Sequence, residues 1–233
     1  MLTPPDELPA VLGASLGSVN NGSMRTKGWE ISLGWQDRLK NGFGYWAKFN
    51  LSDYMSEITA YNGNKAGKIS NYYVGRKFGE IWGLVADGLF QTQEEVDNYL
   101  SQSGLQATQY GPGDVKYMDL DGNGEITWGN KTVEDHGDWS RIGNATPRYE
   151  YNFKIGVDWH GVDLNIFFQG VGSRQYWATG TMMIPGWNFS EGTYYAHQTD
   201  YWTPENTDAF YARLAETNQP GQYSAASFNY LCQ

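Results

Sequence analysis

Four stretches of the chain alternate apolar and polar residues with period two, the pattern of a strand whose two faces meet different surroundings. Near 28–36, Trp29, Ile31, Leu33 and Trp35 alternate with Gly28, Glu30, Ser32, Gly34 and Gln36. Near 43–52, Phe43, Tyr45, Ala47, Phe49 and Leu51 share a face, with Lys48, Asn50 and Ser52 opposite. Over 148–159, Tyr149, Tyr151, Phe153, Ile155, Val157 and Trp159 interleave with Arg148, Glu150, Asn152, Lys154, Gly156 and Asp158. Near 162–170, Val162, Leu164, Ile166 and Phe168 oppose Asp163, Asn165 and Gln169, and only Phe167 breaks the rhythm. Each run is about ten residues, near the length a tilted strand needs to cross a bilayer and longer than the usual strand of a soluble domain. Aromatic residues stand at or near the run ends (Trp29, Trp35, Phe43, Tyr149, Trp159), as the interface girdles of a membrane barrel do.

The connections differ in length. The first two runs are joined by a short turn, Asp37 to Gly42, which ends in Asn41-Gly42. The last two are joined by His160-Gly161, a two-residue hairpin connection. Long connections occupy 55–147 and 175–233. Short turns on one side and long loops on the other are the asymmetry of outer-membrane barrels, and such loops are unusual in a compact soluble domain. This predicts an all-β chain: part of a transmembrane antiparallel β-barrel with periplasmic turns and long extracellular loops. The first and third strands then run inward, the second and fourth outward. Thr92-Gln93-Glu94-Glu95 has a capping-box pattern and Val96, Tyr99 and Leu100 follow at helical spacing, which predicts a short loop helix ending before Gly104. Alternation by itself also fits a soluble sheet packed on a core. The rival readings are a soluble, calcium-stabilised glycan-binding β-sandwich and an adhesin-like module.

Composition agrees with strands and tight turns. Charged residues are 18% and aromatics 16% of the 233 residues, with 29 Gly. A mean hydropathy of -0.59 is compatible with a membrane barrel, where only alternate strand residues face lipid. The formal net charge is -10 and no basic run stands out, so nucleic acid is not an expected partner. Cys232 is the single cysteine, which excludes an intrachain disulfide. There is no run of 18 apolar residues, so no spanning helix is expected. Met1 to Pro9 does not read as a secretory signal.

Seven motifs stand in order along the chain, beginning with Asn21-Gly22-Ser23-Met24-Arg25-Thr26-Lys27-Gly28-Trp29-Glu30, Gly79-Glu80-Ile81-Trp82-Gly83 and Asp87-Gly88-Leu89-Phe90-Gln91. Pro112-Gly113-Asp114-Val115-Lys116-Tyr117 and Asp119-Leu120-Asp121-Gly122-Asn123-Gly124 follow. Ile142-Gly143-Asn144-Ala145-Thr146-Pro147-Arg148-Tyr149 and Ile166-Phe167-Phe168-Gln169-Gly170-Val171-Gly172 complete the series. In kind and order they resemble the SusC/RagA family of TonB-dependent outer-membrane transporters. The resemblance implies a parent barrel of about 22 strands with a plugged lumen. It also implies energy from TonB, a SusD-like surface lipoprotein as lid, and import of oligosaccharides or peptides across the outer membrane of a Gram-negative bacterium. The family's plug domain and TonB-contacting segment are not in this sequence, so the chain is expected to be a fragment without transport activity of its own.

Candidate sites are few. Asp119, Asp121 and Asn123 stand at the first three side-chain ligand positions of a calcium loop, Gly124 at its turn, and Glu125 where a backbone carbonyl binds. Asn130 occupies the place of the usual bidentate Glu; Glu134, Asp135 or Asp138 substitutes only if the loop folds back. The plainer reading is an Asx-rich turn held by its own backbone. Trp177, Trp187 and Trp202 in the last long loop suit contact with a sugar face, or packing of the loops on each other. Glu30, Lys48, Glu150, Lys154 and Asp163 fall on the polar strand faces, directed into a lumen. His136, His160 and His197 have no metal-site spacing, and no catalytic constellation appears, so an enzyme is not expected.

Overall fold

The computed structural model describes residues 2–3, 19–105, 110–177 and 194–214. It divides into two compact units, one comprising Met1–Lys65, Tyr72–Glu80 and Asn144–Gln175, the other Ala66–Asn71, Ile81–Gly143 and Tyr176–Gln233.

The first unit is a four-stranded antiparallel sheet. Strand β1 spans Gly22–Arg38 and β2 spans Gly44–Tyr61. Two short ladders of the second unit, described below, use β3 (Glu80–Gly83), β4 (Ala86–Leu89), β5 (Val115–Tyr117) and β6 (Ser140–Asn144). The sheet is completed by β7 (Arg148–Trp159) and β8 (Val162–Ser173), in the order β8-β7-β2-β1. Two hairpins therefore meet along β2 and β7, where Gly44 pairs with Asp158 and Ser52 with Glu150. Both turns lie at the same end. His160 and Gly161 take φ of 48° and 82°, the left-handed pair that a two-residue turn needs to match strand twist. In the other turn Gly42 has φ 83°, its N–H donates to the Leu39 carbonyl, and Leu39 N–H donates to the Phe43 carbonyl.

The first hairpin is longer than the alternation suggested. β1 starts at Gly22 rather than near 28, and β2 continues to Tyr61 rather than stopping near 52. Beyond Leu51 the pattern loses its apolar face (Ser52, Asp53, Tyr54), but Gly22–Gly28 still offers a backbone partner, so the ladder propagates without it. A register shift between Ser23 and Met24 marks the far end of the pairing.

Two ion pairs tie the hairpins together. At the turn end Arg38 Nη2 lies 2.7 Å from the Asp158 carboxylate, which occupies the space a side chain at Gly44 would need. At the opposite end Arg148 grips Asp53 with two donors, Nε and Nη2, each at 2.5 Å. Asp53 also accepts from the Tyr149 N–H, 3.4 Å away, where the backbone takes a φ of 56°.

The second unit gathers much of what the sequence reads as loop. Its core is Leu84, Leu89, Leu105, Val115, Tyr117, Ile126, Trp202, Ala209 and Ala212. β3 pairs with β6, and β4 pairs antiparallel with β5. The helix α1 spans Gln93–Asn98, with Thr92 accepting from the Glu95 N–H at 3.1 Å and Glu95 accepting from the Gln91 N–H at 2.7 Å. It stops at Tyr99, well before Gly104, because Tyr99 turns to extended backbone and sets its ring against Phe90. Lys116 Nζ lies 2.6 Å from Glu95 and fastens α1 to β5; this pairing lowers the pKa of Glu95, second to the Gln91 N–H, and raises that of Lys116. Gln102 bridges β5, accepting from the Tyr117 N–H at 2.7 Å and donating to the Val115 carbonyl at 3.1 Å. Asp114 is buried and held by Arg213 through Nε at 2.8 Å and Nη2 at 2.7 Å.

Arg213→Ala leaves the Asp114 carboxylate without its cation, and the segment 110–118 is expected to open about 3 kcal/mol more easily in native-state hydrogen exchange. An unchanged opening free energy would show that water replaces the guanidinium at no cost.

Candidate functional site

The two faces of the sheet have opposite chemistry, and the pairing register brings like residues together. On one face stand Trp29, Ile31, Leu33 and Trp35 of β1, beside Tyr45, Ala47, Phe49 and Leu51 of β2. Then come Tyr151, Phe153, Ile155 and Val157 of β7, and Leu164, Ile166 and Phe168 of β8. This face is open: Leu33 is 63% exposed, Trp35 67% and Val162 71%. Contiguous apolar surface on that scale marks contact with lipid or a partner, because water-facing sheets carry polar residues there. A sandwich would cover this face with a second sheet; among the described residues none does so.

The opposite face is polar and ordered in rows. Ser32 donates to Asn50 Oδ1 at 2.7 Å, and Asn50 donates to Asn152 Oδ1 at 2.7 Å, with Gln169 paired next to Asn152. One row toward the turns, Lys48 is registered opposite Lys154, and Lys154 opposite Phe167. Next comes Trp46 opposite Gly156, where a Cβ would overlap the indole. On the other side of the amide row, Glu30 and Glu150 flank Ser52. Phe167, the residue out of rhythm in the sequence, thus lies on the polar face with the Lys154 ammonium 5.0 Å from its ring centre. Trp46 was legible as polar-face by counting from Lys48, but its apolar side chain hid the signal. Asp163 is registered opposite Asp158 in the row nearest the turns.

The acidic loop folds back on itself. Asp119 accepts from the Gly122 N–H at 2.6 Å and the Gly124 N–H at 2.9 Å. Asp121 accepts from the Asn123 N–H at 3.0 Å, and Asn123 accepts from the Glu125 N–H at 2.8 Å. Asp138, fully buried, accepts from the Leu120 and Thr127 N–H groups at 2.7 Å each. Carboxylate oxygens of Asp119, Asp121 and Asp138 come within 4.8 Å of one another, whereas Glu125 is exposed with its backbone N–H engaged by Asn123. Asp138 is the ligand-type residue that spacing alone left undecided among three. Gly122 and Gly124, with φ of 74° and 87°, are what let successive N–H groups turn toward Asp119. Those bonds, Gly124 first, hold the Asp119 carboxyl below its ordinary value of 3.8.

The tryptophans are dispersed. Trp202 is 8% exposed, donates to Gln91 Oε1 at 3.2 Å and packs over Gly113. Trp177 is half-buried near Gly83. Trp187 lies outside the described residues.

No family model matches the chain. It is 26% identical to TonB-dependent receptor P26 of Formosa agariphila over 209 residues, which are 85% of this chain and 20% of the receptor. It is 25% identical to TonB-dependent receptor P3 of the same organism over 224 residues, 91% of this chain and 21% of the receptor. The chain therefore spans about a fifth of the length of these curated relatives. Among solved structures it resembles the RagAB peptide transporter, with a TM-score of 0.60 at 17% identity over 94% of this chain and 23% of that one. A RagAB peptide importer in the open-open state gives a TM-score of 0.60 at 16% identity, covering 96% of this chain and 23% of the importer. In sequence and fold the chain is similar to a segment of SusC/RagA-like TonB-dependent transporters. In a SusC/RagA-like barrel the exposed apolar face is the lipid-facing wall, and the relatives are receptors and transporters rather than enzymes.

The Asp119 turn of this SusC/RagA-like chain has a defined pH response. A carboxylate whose folded pKa lies below its unfolded one stabilises above the unfolded value and loses that stability as pH falls through the folded value. Amide protection at Gly122 and Gly124 is expected to be flat from about pH 7 to 5 and to fall below about pH 4. Asp119→Asn flattens that fall; a fall that survives the substitution assigns it to another group.

Proposed function

We propose that the protein containing this chain is a TonB-energised outer-membrane importer of oligosaccharides or peptides, closed from outside by a SusD-like surface lipoprotein. The observation that carries this reading is the exposed apolar face, built on strands of 12 to 18 residues that are polar on the other side. Lipid satisfies such a face, while the polar rows suit a water-filled or protein-filled interior. The relatives named TonB-dependent receptors support the energy source. The RagAB peptide transporter supports the importer class and a peptide cargo; aromatic loop residues support a glycan. Trp177 is the candidate contact among the described tryptophans, since Trp202 is committed to the core of its unit.

Fractionation tests the reading. The protein should pellet with outer membranes, require detergent, and carry the lipoprotein with it in a pull-down. Leu33→Arg or Ile166→Arg places a cation on the lipid side and should cost about 2–4 kcal/mol in barrel unfolding, whereas Asn165→Arg on the polar face should cost little. A protein that stays monomeric in plain buffer, with all three variants equivalent, is the soluble module instead.

The acidic loop is proposed as a structural calcium site. Asp119, Asp121 and Asp138 supply hard oxygens in close array, and the Glu125 carbonyl and water complete such a set. Millimolar calcium should then raise hydrogen-exchange protection across 119–138, and Asp121→Asn should abolish the rise. Equal protection with calcium and with chelator leaves a plain Asx turn.

A further inference from the structure

Lys48 and Lys154 occupy an electrostatically unusual place. They are registered partners on neighbouring strands, and both are exposed on the polar face. Like charges directly opposite one another on a sheet destabilise it unless something else neutralises them. Among the described residues neither ammonium has a carboxylate partner. Lys48 lies 5.8 Å from the centre of the Trp46 ring, and Lys154 5.0 Å from that of Phe167. The acids on this face do not pair with them. Glu30 and Glu150 stand two rows away in one direction, and Asp158 and Asp163 two rows away in the other. Two rows are four residues along a strand, about 14 Å. Asp158 is moreover engaged by Arg38.

The surroundings of the pair are shaped as well as charged. Gly156 lets the Trp46 indole lie on the wall, because any larger residue would overlap it. Phe167 gives a second ring on the far side of Lys154. The Ser32–Asn50–Asn152 hydrogen bonds draw the neighbouring row into a fixed polar line. An open cavity of about 430 Å³ on the turn side of Trp46 is lined by Arg38, Gly44 and Asp158 and not by either lysine. Two ammonium groups in register and two ring surfaces make a place for a carboxylate carried on a group with a flat C–H or ring face.

We propose that Lys48 and Lys154, with Trp46 and Phe167, form a carboxylate-binding subsite on the polar wall of this sheet. The inference rests on that wall lining an interior, which fractionation tests separately. The carboxylate comes either from an Asp or Glu elsewhere in the same polypeptide or from an acidic solute in transit. Both sources present the same chemistry to the lysines.

Carbodiimide coupling reads the internal source directly, since it joins a lysine amine to an activated carboxyl group with no spacer and so requires the two within reach. Outer membranes carrying the full-length protein are treated with a water-soluble carbodiimide, alone and with tetraglutamate or oligogalacturonate, and the peptides of Lys48 and Lys154 are mapped by mass spectrometry. An amide to an Asp or Glu of the same polypeptide supports the subsite and identifies the internal source. An amide that appears only with an added probe, at Lys48 and Lys154 at least tenfold more than at the exposed turn residue Lys40, supports it and identifies the solute; equal labelling of all three overturns it. In the second case Lys48→Gln with Lys154→Gln should weaken probe retention at least tenfold, while Lys48→Arg with Lys154→Arg retains it and cannot be coupled. Both lysines acetylating freely, with no amide under any condition, overturns the proposal. Mapping uses the unsubstituted protein, so its result stands even where a variant fails to assemble.

Discussion

A strand that faces lipid has no water to bond its peptide groups, so every N–H and C=O on it must find a partner in a neighbouring strand. The four-stranded sheet depends on that constraint. β1 and β2 remain paired from Gly22 to Arg38 although only the middle of the hairpin alternates cleanly, because backbone pairing continues wherever a partner strand is present. The same requirement explains why the two hairpins, separated by the whole span from 62 to 147, join along β2 and β7 instead of standing alone. Ion pairs at both ends of that seam, Arg38 with Asp158 and Arg148 with Asp53, fix the register in which it joins.

Register then sorts the chemistry. A slip of one residue would carry Leu33, Phe49, Phe153 and Phe168 to the polar side and Asn50 and Asn152 to the lipid side. The asparagine line is satisfied only in the observed register, where Ser32, Asn50 and Asn152 stand side by side. Polar hydrogen bonds on one face and apolar continuity on the other therefore select the same alignment.

The remainder of the described chain follows a different economy. Residues 81–143, which have little periodicity, are organised around a small apolar core and a few side chains that replace missing secondary structure. Gln102 bonds β5 as a strand would, Asp138 caps two turns of the acidic loop, and Asp114 with Arg213 fastens residues far apart in sequence. Irregular backbone needs such partners for its buried peptide groups. These contacts link residues up to 99 apart, and no local pattern announces them.

The strands, their two faces, the turn at His160-Gly161 and the start of α1 were legible in the sequence, because each depends on neighbours two to four residues away. Seven motifs in order also carried the SusC/RagA likeness, which the relatives and the RagAB structures bear out. What only the tertiary structure decided are the pairings at long range. It chose Asp138 from three acids to join Asp119 and Asp121, buried Trp202 in a core, and set Phe167 beside Lys154 on the polar wall. Spacing along the chain constrains which face a residue occupies; which distant residue it meets there depends on strand register and loop packing, and those are fixed by the whole fold at once.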